Sequence, residues 1–189
     1  MSTNNVLAER EQIVAAADRL FYTHGIQAVG IDRVRTASGV SLKKLYSLFP
    51  SKDALLVAVL RHRTGEWDAG IAEAAAQATD AREKILAIYD FLNEWFRQDD
   101  FRGCAFINSF GELGAVSPNV ATVARDQKVT FQRYVANLVD EAGAPASLAP
   151  QLAILAEGAQ TTAAISGTPD AAAHARAAAV VLIDAALSS

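Results

Sequence analysis

Ser41, Lys43, Lys44, Tyr46 and Lys52 place hydroxyl and ammonium groups within one short window, Ser41-Leu-Lys-Lys-Leu-Tyr-Ser-Leu-Phe-Pro-Ser-Lys52. Groups of these types donate hydrogen bonds to phosphate oxygens and to the acceptor edges of bases, which is the chemistry of nucleic-acid recognition. Arg33 and Arg35 just upstream add two more cations. Other chemistries find less support. His24, His62 and His174 are scattered and Cys104 is the single cysteine, so no ligand set for a metal is expected. No Gly-rich phosphate loop or nucleophile elbow is present, so neither a catalytic residue nor a cofactor is expected.

The elements that must carry these groups read as two short helices around a corner. Gly39 suits a tight turn at Ser38-Gly39-Val40, where a positive φ costs glycine nothing. Ser41 then predicts the N-cap of a second helix, its hydroxyl taking an otherwise unpartnered backbone N–H. Leu45 and Phe49 are four apart and form an apolar face with Val40, leaving Leu42, Lys43, Tyr46 and Ser47 on the other side. Ile31 and Val34 give a preceding helix of about two turns, and the pair reads as a helix-turn-helix. In that motif the second helix enters the major groove and the first crosses the backbone. Pro50 ends the second helix and Ser51 caps the next. Lys52 falls in the first turn of that helix, where a cation opposes the dipole by about 0.3–1 kcal/mol, so a DNA phosphate is expected to compensate it.

Residues Arg10 to Leu60, about a quarter of the chain, resemble the DNA-binding domain of TetR/AcrR-type bacterial transcriptional regulators. The resemblance runs through Ile13, Ala16-Ala17, Leu20-Phe21, Gly25, Ile31, Val34, Gly39-Val40-Ser41, Leu45-Tyr46, Phe49, Ser51-Lys52 and Leu55. This chain departs from the family at Val29-Gly30, where Thr or Ser is usual, at Arg35 in place of a small residue, and at Leu48 in place of a frequent His. Arg33 or Arg35 is expected to reach the DNA in their place. The resemblance implies a dimer on a pseudo-palindromic operator.

The whole chain of 189 residues carries a net charge of −4, which conceals an asymmetry. Residues 1–63 hold nine Lys and Arg against five Asp and Glu, a balance of +4, leaving −8 for the remainder. The anion-binding surface is therefore expected at the N-terminal end. The polar, then acidic start Met1–Glu9 does not read as a signal peptide, and no apolar run approaches membrane-spanning length. A cytoplasmic protein is expected.

Downstream, helical periodicity recurs with no strand signal, predicting an all-α chain of about nine helices. A helix-turn-helix domain at 1–50 is joined by a long helix from Ser51 to about Ala76 to an effector-binding and dimerisation bundle at 51–189. Ser117-Pro118 and Thr168-Pro169 each read as a cap followed by a helix-starting proline. The Ala-rich last two helices are expected to form the homodimer interface, although packing within one subunit would also use small residues. Trp67, Tyr89, Trp95, Phe106, Phe110 and Phe131 read first as core. Cys104, Asn108 and Glu112 at four-residue spacing, with Gln127 four before Phe131, place polar groups among them and suggest a pocket for a small, largely apolar or aromatic effector. Glu112 by itself reads as solvated or paired. The leading expectation is an effector-responsive, DNA-binding repressor. Two alternatives stand beside it, a helical carrier or enzyme for an apolar small molecule, and a thiol-responsive regulator using Cys104.

Overall fold

A computed structural model describes residues 3–188, with side chains from Asn5 onward. Among these residues there are nine α-helices, one 3-10 turn at Ala75–Gln77 and no strand. The helices are α1 (Thr3–His24), α2 (Ile31–Ser38), α3 (Leu42–Leu48), α4 (Lys52–Ala74), α5 (Ala81–Phe96), α6 (Ala105–Leu113), α7 (Pro118–Glu141), α8 (Leu148–Ser166) and α9 (Asp170–Leu187). They form two compact units. The first comprises the residues up to Gly65 with Ala105–Arg125, the second Glu66–Cys104 with the residues from Asp126 on. The packing boundary therefore differs from a division at residue 50. The first turns of α4, all of α6 and the start of α7 are built into the N-terminal unit by side-chain ties described below.

In the first unit, Ile13, Ala17, Val34, Leu45, Phe49 and Leu55 are buried to within 1% of full coverage, so α1 to α4 share one core. Gly25, at φ 84°, ends α1 with its N–H on the Phe21 carbonyl at 2.9 Å. Gly39 ends α2 at φ 69°, the left-handed conformation its sequence position predicts. Ser41 caps α3 by accepting the Lys44 N–H at 3.2 Å, and Ser51 caps α4 by accepting that of Ala54 at 3.0 Å. Gly30 stands at the N-cap of α2 with no side-chain bond, as the absence of Thr or Ser there requires. At 23 residues, α4 is about 35 Å long.

The second unit packs α5 against α8 and α9. Its core runs through Ile85, Leu92, Leu152, Ala156, Ala179 and Ile183. The alanines let helix axes approach closely, and Gly70 of α4 does so to an extreme: a Cβ built there would lie 2.4 Å from the Phe91 ring. Asp80 caps α5 by accepting the Glu83 N–H at 2.8 Å, while Glu83 accepts the Thr79 N–H at 2.7 Å. Thr168 accepts the Asp170 N–H at 3.3 Å at the start of α9. No helix among the described residues is long and apolar enough to cross a membrane.

Candidate nucleic-acid interface

The amphipathic pattern of α3 divides the helix as its spacing demands. Leu45 is fully buried against the first-unit core, while Leu42 and Tyr46 are 42% and 46% exposed. Apolar surface left in water on this seven-residue helix contributes nothing to the fold and stays available to a partner surface. Lys43 is exposed beside them and has no hydrogen-bond or ion-pair partner among the described residues. Ser41 spends its hydroxyl on the cap and stays exposed. Leu42, Lys43 and Tyr46 thus form one solvent-facing patch combining a methyl-bearing side chain, an ammonium and a phenol.

The other cations are more engaged. Lys44 is half-buried and pairs with Glu9 of α1 at 2.5 Å. Arg33 is exposed and donates to Nε2 of His24 at 2.8 Å. Arg35 pairs with Asp32 one turn earlier at 3.6 Å and donates to Thr36 Oγ1 at 3.3 Å. The Lys52 ammonium donates to the Ile26 carbonyl at 2.5 Å and lies 5.7 Å over the Phe21 ring. Burial lowers its pKa from the ordinary lysine value, and the nearby Glu112 carboxylate opposes that shift. The dipole cost at the start of α4 is therefore offset in part within the protein, by a carbonyl and a carboxylate.

Glu112 supplies a contact that sequence reasoning missed. Its two carboxylate oxygens accept the backbone N–H groups of Ile26 and Gln27 at 3.1 and 3.0 Å, and Gln27 Nε2 donates back to the Glu112 carbonyl at 3.1 Å. Residues 25–30 connect α1 to α2, so α6 holds the turn that aims the helix-turn-helix. Asp53 makes a second tie, accepting from the Ser117 hydroxyl and from Asn119 Nδ2 at 2.9 Å. Arg63 makes a third, to Asp18 at 2.5 and 3.0 Å, with its guanidinium stacked 3.9 Å over Tyr22. No local pattern marks these partners, which stand 45 to 86 residues apart.

The residues expected around an effector fall in both units. Phe106, Asn108 and Phe110 belong to α6 in the first unit, where Phe106 is buried and Phe110 is 46% exposed. Asn108 and Glu112 line a cleft of about 30 Å³ there. Trp67, Tyr89, Trp95, Gln127 and Phe131 belong to the second unit. Trp67 meets Phe91, Trp95 and Phe131 edge-on, with centroids 5.3, 5.6 and 5.7 Å apart. The Tyr89 hydroxyl donates to the Leu152 carbonyl at 2.8 Å, and burial pushes its pKa well up. Gln127 is buried with its side-chain oxygen unpartnered. Cys104 is buried, its Sγ 3.6 Å from the Lys128 ammonium.

Comparison with known proteins places this geometry. Residues 13–59, from the middle of α1 to the early part of α4, match the family model for bacterial regulatory proteins of the tetR family. The transcriptional activator FasR of Mycolicibacterium smegmatis is 31% identical over 90 residues, a stretch that covers 48% of this chain and only 41% of that protein. A TetR-family regulator from Streptomyces coelicolor superposes with a TM-score of 0.87 at 24% identity, covering 95% of this chain and 96% of its own. A TetR-type regulator from Streptomyces avermitilis is 30% identical, with a TM-score of 0.81, over 94% of this chain and 97% of its own. A likeness of that identity across both full lengths, with the helix-turn-helix in register, means that the chain belongs to the TetR family of DNA-binding transcriptional regulators.

Proposed function

We propose that this protein is a homodimeric repressor that leaves a pseudo-palindromic operator when a small, largely apolar or aromatic effector binds its second unit. The observation that carries the DNA-binding part is the exposed patch of Leu42, Lys43 and Tyr46 on α3. Lys43 and Tyr46 reach phosphates or base edges and Leu42 meets a thymine methyl, with Ser41, Arg33 and Arg35 in support. Lys44 and Lys52 act behind them by fixing α3 and the start of α4.

The dimer reading rests on the outer faces of α8 and α9. Ile154, Gly158, Thr161 and Ile165 recur at four- and three-residue steps along α8, and Ile154 and Ile165 are 70% and 83% exposed. On α9, Ala173, Ala177 and the 68% exposed Val181 continue the pattern. Two such pairs make a four-helix interface that sets the recognition helices about 34–36 Å apart, one turn of DNA. The effector acts by favouring a spacing that no longer fits, and it must bind the two spacings with different affinity to act at all. FasR, by contrast, is a transcriptional activator. The protein works in the cytoplasm, with no catalytic step.

The test is a salt titration on a duplex from the DNA upstream of the protein's own gene, against a scrambled duplex. The expected result is preference for the upstream duplex with two subunits bound, and its loss on adding an effector. Equal binding to both duplexes refutes a self-operator. A second reading, response of Cys104 to oxidants, is favoured by the Lys128 ammonium beside its sulfur. It predicts that peroxide releases the wild type from DNA and leaves Cys104→Ser bound.

A further inference from the structure

The second unit has an apolar core interrupted at one level by polar side chains on α7 and α8. Gln127 is 5% exposed and Gln160 1% exposed, and the side-chain oxygen of each has no hydrogen-bond partner among the described residues. The orientation of Gln160 is settled by its other end, since Nε2 donates to the Ala156 carbonyl at 3.3 Å and leaves Oε1 as the unused acceptor. Lys128, next to Gln127, reaches Glu157, one turn before Gln160, at 3.7 Å, and also touches Cys104 Sγ at 3.6 Å. That bridge brings α7 and α8 together at this level. Glu157 Oε1 is likewise buried without a hydrogen bond.

A buried amide oxygen with no donor is costly, and a Leu or Met would fill the same space without that cost. The cost is offset if a ligand brings the donors. We propose that Gln127 and Gln160 form the polar anchor of the effector site, reading an uncharged hydrogen-bond donor, a hydroxyl or an amide N–H, on a small aromatic or apolar body. This deepens the effector reading given above and rests on it. The unused group of Gln160 is an acceptor, which selects a donor. Glu157 and Lys128 face each other at 3.7 Å and offset one another's charge, which favours an uncharged ligand over an ion of either sign. Phe131, one turn beyond Gln127 and 5.7 Å from Trp67, supplies the apolar wall.

The experiment is thermal melting and calorimetric titration of the full-length protein with phenol and benzyl alcohol as donors, anisole and toluene lacking the donor, and benzoate as the anion. Phenol or benzyl alcohol at ten times its Kd raises the melting temperature by about 3 °C, while the other probes bind at least tenfold more weakly. Gln127→Met and Gln160→Met, close in length to glutamine, melt at or above the wild-type temperature and lose the preference for donors. If anisole and toluene bind as tightly as phenol, the apolar effector site stands and the anchor falls. If neither donor binds, or if both Met variants keep the preference, the anchor is overturned, while DNA release by effector still measures the wider reading.

Discussion

Glu112 and Lys52 hold the two polar groups of a single backbone residue: the Glu112 carboxylate takes the N–H of Ile26 at 3.1 Å, and the Lys52 ammonium gives to its carbonyl at 2.5 Å. The residue so held lies in the connection between α1 and α2, and hence governs where α2 and α3 point. Hydrogen bonds to charged groups contribute about 1.5–3 kcal/mol each. Glu112→Gln keeps the side-chain volume but has one acceptor oxygen for two N–H groups, so about one such bond is lost. The expected outcome is DNA affinity reduced about tenfold with the helical signal retained. A packing role alone would leave the glutamine variant binding DNA like the wild type, and an anisotropy titration distinguishes the two.

Lys43 and Leu42 neighbour one another on α3 and should fail differently. Lys43→Ala removes an ammonium with no partner among the described residues, so binding to all duplexes should weaken and the slope of log K against log salt should fall by about one. Leu42→Ala removes no charge. Its slope should stay unchanged while the preference among operators shifts, by about 1–3 kcal/mol at the affected base pair. A changed slope for Leu42→Ala would remove the thymine-methyl reading.

The helix-turn-helix was legible in sequence because every device in it is local. Gly39 at a positive φ, Ser41 on the Lys44 N–H, and Leu45 four before Phe49 all act within a turn or two of chain. Lys52 was legible only in part. Its conflict with the helix dipole can be read from Ser51-Lys52-Asp53, but the carbonyl that resolves the conflict is 26 residues away. Glu112 was not legible as a tie, because its partners are backbone N–H groups 85 and 86 residues distant and a backbone N–H leaves no mark on residue type. The aromatic residues showed the same limit: spacing puts Trp67, Trp95 and Phe131 on inward faces, but only the packed structure shows them meeting edge-on.

Gly70 is a position where two opposed effects can be weighed. Ala for Gly inside a helix gains about 1 kcal/mol from propensity. Here the added methyl would lie 2.4 Å from the Phe91 ring, which is itself held by Trp67 at 5.3 Å and Trp95 at 6.2 Å. Overpacking of this kind costs about 1–3 kcal/mol, so the clash should prevail. Gly70→Ala is expected to lower the melting temperature by a few degrees, and a rise would mean that the aromatic cluster yields.

Tyr89 predicts an alkaline limit to stability. Burial raises its folded-state pKa above the ordinary value near 10, so the native state keeps the phenol proton when the unfolded chain has lost it. The contribution is fully present below pH 10 and is lost as pH rises from there toward the folded-state value. Tyr89→Phe should cost about 1 kcal/mol at neutral pH through the lost bond to Leu152, and should show a shallower decline above pH 10. Parallel urea melts at pH 8 and pH 10.5 test this. Equal pH dependence in the two proteins would exclude Tyr89 as the titrating group.

Ile165 and Val181 test the proposed interface. At 83% and 68% exposed, each leaves apolar surface in water that a second copy would cover in the proposed interface. Ile165→Asp and Val181→Asp place a carboxylate where the two copies would meet, and a symmetric interface repeats that charge on the partner. Neither side chain supports the core of its own unit, so the helical signal should persist while sedimentation shows a monomer. A monomer carries one recognition helix, so it should lose the gain that comes from binding two half-sites together and bind an isolated half-site as the wild type does. If both variants remain dimers, the interface lies elsewhere on the chain, even though the recognition patch on α3 would be untouched.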